Sequence, residues 1–458
     1  MKIPEHPHTP FYWRRHWTRR RFFHLLGGAV TASVAMPPVL RGNSYVVAPV
    51  ETKSTARNVI FILLSGAPSH IDTFDFKMVD GVTPESLAPE TFGDVVWPVG
   101  LLPDLAQRLD KFAIVRSVRA WALVHSLAQT WAQIGRSPAA ALGDIAPHVG
   151  SIVAVEKAAE RRDSDVLPAF LALNANGVQG QGFLPAGYAP FKHTAAASTP
   201  QRGLSNVAAP AAFGARWDLL NALDKPLRQA SPLGQPAEDF AAFYEQARRL
   251  MEEAQPGGAV DRVFKFTAED VERYGNTNFG AACLVAHQAL AANRGTRFVQ
   301  VNLGGWDHHQ NIYAENALPA LSRQLDRGVA ALLDDLQSSG SIAETLVVMM
   351  GEFGRTVGPL SAAAGRDHYL QQFAMFAGAG VRGGRIIGAT DAEGRFTTDP
   401  GWSRNRDVRV EDIEATIYSA LGINWTTIRT DEPTGRGYEL VPLSSQDVYG
   451  PIHDLWDA

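Results

Sequence analysis

Residues 345–369 read TLVVMMGEFGRTVGPLSAAAGRDHY. The opening run, Thr345 to Met350, carries no charge and does not alternate, which predicts a strand covered on both faces. The loop that follows gathers Glu352, Arg355, Arg366, Asp367 and His368 among glycines. A connecting loop needs polarity, but it does not need two acids, two guanidiniums and an imidazole. The segment reads either as a strand opening into a site or as a solvated turn.

Working outward, the same kind of run recurs. Val59 to Leu64 precedes Ser65-Gly66, Arg297 to Leu303 precedes GGWDHHQN, and Phe373 to Ala377 is a fourth candidate. Between the second and third runs, Leu318, Leu321, Leu325, Val329, Leu332, Leu333 and Leu336 fall at helical spacing, with Gly340 where a helix stop belongs. Strand, helix and strand in this order predict a right-handed parallel crossover. In such sheets ligands collect at the carboxyl ends of the strands, where WDHHQ and GEFGRT both stand. The chain of 458 residues, with 45% apolar and 19% charged residues, 41 Gly and 28 Pro, suits a loop-rich α/β protein better than a helical scaffold. Length alone allows one elaborate domain or two to three small ones. Residues 160–260 are less regular, rich in Ala and Pro (HTAAASTP, NVAAPAAFG), and read as an insertion or cap.

The beginning of the chain has a different character. Thr18-Arg19-Arg20 leads into Phe22 and Phe23, then a weakly apolar run from Leu25 to about Val34, with Ser33 and Ala35 offering a cleavage point. Residues 1–35 therefore resemble a bacterial twin-arginine signal peptide, and 36–56 a linker, so the mature protein is expected in the periplasm or secreted. Pro37 and Pro38 end the run short of the ~20 residues a membrane span needs, so no integral span is expected in the mature form. Removing 1–35 takes six basic residues and one acid and leaves a formal charge of −10. No basic patch survives to suggest a nucleic-acid partner. The single cysteine, Cys283, has no partner for an internal disulfide and is expected inside a buried helix.

Three acidic or imidazole clusters then stand on successive loops: Asp307-His308-His309, Glu352, and Asp367-His368. Carboxylates and neutral imidazoles are the ligands of hard or borderline divalent ions such as Zn, Mn and Mg, and Ca remains a candidate. The pieces GAPSHIDTFD, GWDHHQN, ETLVVMMGEFGRT, GRDHY, GAGVRGGRIIGATD and ATIYSALGIN resemble the DUF1501 proteins, a family related to alkaline phosphatases and sulfatases. The resemblance runs from about Asn58 to Ile423, its middle carried by LPAFLALN and GQGFLPAGYAPF.

The resemblance implies an alkaline phosphatase-like domain over 57–458, a three-layer α/β sandwich with a mostly parallel central sheet. It implies one or two divalent metals. Asp307, His309 and His368 would hold the first, Glu352 would support a second, and Asp367 would ligate or orient His368. It also implies a nucleophile ten residues before a glycine that closes a short helix. In VHSLAQTWAQIGRSP that glycine is Gly135 and the position is His125, beside Ser126. His125 is thus a ligand, a general base or a nucleophile, and its alternative is a buried structural imidazole. At the end of the first strand, where the superfamily has a metal-binding Asp, Ser65-Gly66 stand instead, leaving Asp72 or Asp75 to reach in or to cap a turn.

Arg355 and Arg366 either clamp an anionic ester or neutralise Glu352 and Asp367. Trp306 either stacks on substrate or packs. The activity expected is that of an exported metal-dependent hydrolase of phosphate or sulfate esters, on an anionic small molecule or polysaccharide. The alternative is a catalytically degenerate binding protein of the bacterial envelope. A phosphoglycerate-mutase-like isomerase is disfavoured by export.

Overall fold

Asn58–Leu63 (β1) is fully buried at every residue, and its side chains divide strictly by parity between two cores. Val59, Phe61 and Leu63 join one core and Ile60 and Ile62 the other. That division is the period-2 geometry of a strand with a layer on each side. Each such side chain contributes about 1.5–3 kcal/mol by leaving water. The molecule is described here from a computed structural model, covering residues 44–46, 50–199, 204, 209–210, 212–229 and 234–457. The export signal expected over 1–35, with Arg19 and Arg20, lies outside the described residues, as does much of the linker expected over 36–56.

The sheet around β1 has eight strands. In chain order its members, with a two-stranded ribbon beside it, are Phe112–Arg119 (β2), Phe170–Leu173 (β3), Phe191–His193 (β4), Phe298–Asn302 (β5), Thr345–Met350 (β6), Gly354–Arg355 (β7) and His368–Tyr369 (β8, the ribbon partner of β7), Gln371–Ala377 (β9) and Arg385–Ile387 (β10). The spatial order is β10-β2-β9-β6-β1-β5-β3-β4. The three runs read from sequence are neighbours, with β1 parallel to both β5 and β6, and Leu63 opposite Asn302 and Met350. The fourth run, β9, is reversed, pairing antiparallel with β6 and β2. Phe170–Leu173 and Phe191–His193 extend the parallel sheet at one edge, so the span 160–260 contributes to the main layer as well as to the helices Phe213–Gln229 and Gln235–Glu253.

One face is covered by Asn278–Ala291 (α3) and Leu318–Ser338 (α4), which share the core of Ile60 and Ile62. The opposite face is covered by His125–Ile134 (α1), Val149–Glu156 (α2) and Val410–Ala420 (α5). The result is a three-layer α/β sandwich. In α4, Leu325, Val329, Leu332, Leu333 and Leu336 are wholly buried, and Gly340 follows the helix with φ 72°. Cys283 is buried in α3, where desolvation pushes its thiol well above the ordinary range. No helix among the described residues is long and apolar enough to cross a membrane.

The reversal of β9 matters for function. A strand running the other way brings its beginning, not its end, to the edge where β1, β5 and β6 finish. Gln371 pairs with Arg119 there, so residues 366–370 leading into β9 and residues 120–125 leaving β2 meet the loops after β1, β5 and β6. The ribbon strengthens the meeting by setting Arg355 opposite His368.

Candidate metal centre

At that edge the side chains of His125, Asp307, His309 and His368 offer ligand atoms that all lie within 4.8 Å of one another. Among the described residues this is the one such group. Asp307 Oδ1 is 3.1 Å from His125 Nε2, 2.9 Å from His309 Nε2 and 3.8 Å from His368 Nε2. The two latter nitrogens are 3.0 Å apart.

Each imidazole is oriented from behind through Nδ1. His125 Nδ1 lies 2.7 Å from Glu352 Oε1, His309 Nδ1 2.7 Å from Asp367 Oδ1, and His368 Nδ1 2.6 Å from the Leu123 carbonyl. All three partners only accept, so each Nδ1 must donate, and in the neutral ring each Nε2 is left as a lone pair. Three lone pairs and one carboxylate oxygen facing a common point, each ring backed by an acceptor, is the pattern of a transition-metal ligand set with its supporting shell. The separations bracket the ~3.3 Å expected between ligands of a tetrahedral ion with bonds of roughly 2.0–2.1 Å. His125 Nε2 is buried and makes no hydrogen bond, and the His309–His368 contact sets two acceptor nitrogens against each other. A cation resolves both. The donor set therefore fits a Zn-type ion better than Mg or Ca, which favour oxygen ligands.

The electrostatics favour the ligating forms of Asp307 and His368 and set a proton in competition with the ion at His125. Burial works to raise the Asp307 carboxyl, but the hydrogen bond and charge of Arg355, with smaller help from His125 and His309, hold it below its ordinary value. Burial lowers His368 against the opposing hydrogen bond to the Leu123 carbonyl, and the Arg355 charge adds to the lowering, which favours the neutral ring. The Glu352 hydrogen bond raises His125 against the opposing effect of burial, and the charges of Glu352 and Asp307 add to it.

The structure gives several of the expected residues other partners. Glu352 is not a ligand converging with the others. It is buried behind His125, its Oε1 accepting also from Gly66 N (2.9 Å) and Gln129 Nε2 (2.8 Å). Asp367 orients His309 rather than His368. Arg366 is wholly buried in an ion pair with Asp72 (2.8 Å), with Tyr313 Oη and the Thr356 and Gly358 carbonyls taking its other donors, so it clamps nothing at the centre. Asp72 consequently does not replace the missing first-strand ligand. Asp75 does not either, being buried against Lys77, Arg116 and Thr390.

Arg355 does reach the centre. Its Nη2 lies 2.6 Å from Asp307 Oδ1 and its Nη1 3.4 Å from His309 Nε2, while the carbonyls of Gly66, Ala67 and Arg366 accept from the same guanidinium. His125 also faces the centre, as the first residue of α1, and Gly135 closes that helix at φ 62°. Trp306 packs in the core, its indole donating to the Leu303 carbonyl. Sequence reasoning missed Gln129 and Leu123. Gln129 carried a signal, since His125 and Gln129 are four apart and so share one helix face. A backbone carbonyl such as that of Leu123 carries none.

The profile of the family described as "Protein of unknown function (DUF1501)" matches residues 56–450. No curated protein matches the chain. Among solved structures, Ps i-CgsB in complex with k-i-k-neocarrahexaose is 12% identical, with a TM-score of 0.41 over 86% of this chain and 77% of that one. The PsFucS1 sulfatase from Pseudoalteromonas sp. is 12% identical, with a TM-score of 0.38 over 80% and 68%. A protein in the alkaline phosphatase superfamily from Vibrio parahaemolyticus is 10% identical, with a TM-score of 0.36 over 88% and 75%.

Proposed function

The chain belongs to the DUF1501 family, and from that premise we propose that it is a metal-dependent hydrolase of phosphate or sulfate esters, acting in the periplasm or after secretion. The observation that carries this reading is the convergence of His125, Asp307, His309 and His368 with Arg355 on one carboxylate oxygen. With neutral imidazoles, Asp307, Glu352 and Asp367 against Arg355 leave two net negative charges, and a divalent ion brings the centre to neutrality. The ion thus cancels the repulsion that the carboxylates would exert on an anionic ester, and the ion and Arg355 are the positive groups left to face it.

When bound, the ion supplies Lewis-acid stabilisation of the transferred phosphoryl or sulfuryl group. The chain's own contribution is preorganisation. Arg355, pinned by three carbonyls, presents a permanent charge that need not reorganise as negative charge develops. Glu352, Asp367 and the Leu123 carbonyl hold the three rings so that none can turn its lone pair away. Under this reading His125 is a ligand, because Glu352 takes one of its nitrogens and the other faces Asp307. The open polar cleft beside Asp307, walled by Gln310, Asn311, Asn316 and Leu360, receives the rest of a small or polymeric ester.

A binding protein that keeps the metal without turnover is the second reading, favoured by Ser65-Gly66 standing where a further acidic ligand is expected at the end of β1. Metal analysis and hydrolysis of aryl phosphate, aryl sulfate and sulfated oligosaccharide by the mature protein separate the two. Hydrolysis requires about one divalent ion per chain, is lost with a chelator and is lost in His309→Ala. Retained metal without turnover on any ester leaves the binding protein, and a protein that retains no metal sinks both.

A further inference from the structure

The loop Arg119–Val124 joins β2 to α1, and two of the four ligands depend on it. Val124 immediately precedes His125, and the Leu123 carbonyl orients His368. Yet the loop has little apolar hold. Trp121, Leu123 and Val124 are 43%, 39% and 58% exposed. The buried apolar side chains it contributes are of alanine size, Ala120 in a small cluster with Ala67, Ala128 and Phe353. A narrow crevice lies behind it, bounded by Arg119, Trp121, Trp131 and Glu352.

What grips the loop is the start of α5. The Arg409 guanidinium donates to the carbonyls of Arg119 (3.0 Å) and Ala120 (3.2 Å) and lies 3.9 Å from the centre of the Trp121 ring. Two residues on, the buried Glu411 carboxylate takes one indole N–H on each oxygen: Trp121 at 2.9 Å from the loop and Trp131 at 3.0 Å from α1. The two indoles lie nearly parallel, 19° apart. One carboxylate thus ties the loop to the helix that it starts.

We propose that Arg409 and Glu411 are positioning residues of the metal centre: they touch no ligand, and they set His125 and His368 against Asp307 and His309 by clamping loop 119–124. Apolar packing fixes the loop weakly where its large side chains are exposed and its buried ones are alanines, whereas charge-assisted hydrogen bonds fix direction as well as distance. The inference rests on the reading of the four-residue cluster as a metal centre.

Glu411→Gln tests it in the full mature chain, titrated with Co2+ and followed by the visible absorption of the ion, with unfolding of the metal-free protein measured alongside. A carboxamide offers one acceptor and one donor, so one indole N–H must face an N–H. Supporting partners one layer closer to a metal change affinity 10–100-fold, so Co2+ affinity should fall about tenfold, with an altered spectrum. In a Trp131→Phe background the conflict is gone, and the same substitution should cost little. If Glu411→Gln fails to fold, Trp121→Phe decides, since it removes the same hydrogen bond from a part-exposed side chain. Wild-type affinity and spectrum in the folded variant overturn the proposal, even where the melting temperature drops, because that is the signature of a purely structural contact. Absence of Co2+ binding in the wild type instead overturns the metal-centre reading, and the clamp falls with it.

Discussion

Replacing Glu352 by Gln separates support of the metal from support of the fold. Glu352 Oε1 accepts from Gly66 N–H, Gln129 and His125, while its Oε2 is buried without a partner, as is Oε1 of Gln372, whose amide group approaches the Glu352 carbonyl. A carboxamide keeps one oxygen for the three donors and turns the orphaned oxygen into a donor. Folding should therefore change little, by about 1 kcal/mol, the difference between a charge-assisted and a neutral hydrogen bond. Glu352→Ala would leave three donors unpaired at about 1–3 kcal/mol each and would confuse the two effects.

Metal binding should respond more than folding. Loss of a carboxylate behind a ligating imidazole costs 10–100-fold in affinity, or about 1.4–2.7 kcal/mol. Proton competition adds a pH signature. The Glu352 hydrogen bond raises His125 above its ordinary 6.5, so in metal-free protein this interaction is fully stabilising below that value. It is lost as pH rises through the folded-state pKa. The melting-temperature advantage of wild type over Glu352→Gln should thus be largest near pH 5.5 and shrink toward pH 8.5. The midpoint of the pH dependence of Zn2+ affinity should move to lower pH in the variant. Competition titrations with a chromogenic chelator and thermal melts in EDTA measure both. Equal Zn2+ affinity with an unmoved midpoint, or an advantage that grows with pH, would refute the reasoning.

Three further outcomes are expected. Gly365→Ala places a Cβ 1.9 Å from the His309 carbonyl carbon, so the His309 segment must shift; overpacking of this kind costs about 1–3 kcal/mol, and calorimetry should show lower stability together with weaker Zn2+ binding. Asp72→Asn breaks a pair in which both side chains are 0% exposed; removing one partner of such a pair costs about 3–5 kcal/mol, visible as a lower urea midpoint, and an unchanged midpoint would contradict the pairing. Burial pushes Glu414 up to about 8, against the pull of the Arg136 charge, so its stabilising contribution is full below the ordinary 4.5 and is lost as pH rises toward 8; Glu414→Gln should gain on wild type in melting temperature between pH 5 and pH 9, and parallel curves would count against it.

The strands β1, β5 and β6 were legible because burial on both faces is a local property: it forces unbroken apolar runs, and the polar residues that must follow reveal which end carries the site. Asp307, His309 and His368 were legible for the same reason, each standing in the first polar stretch beside an apolar run. The direction of β9 was not, since a run such as Phe373 to Ala377 is equally apolar whichever way it points. That reversal is what delivers His368 to the ligands from β5.

Nor does a sequence say which acid meets which base. Glu352 and Asp307 are both carboxylates after strands, yet one supports a ring from behind while the other faces the open point. Arg355 and Arg366 lie eleven residues apart on one loop. One meets Asp307 at the centre and the other is buried against Asp72, 294 positions away in the chain. Local pattern determined which elements form and where polarity concentrates. The partners were decided only by packing, because a hydrogen bond depends on tenths of an ångström between segments that the chain order keeps far apart.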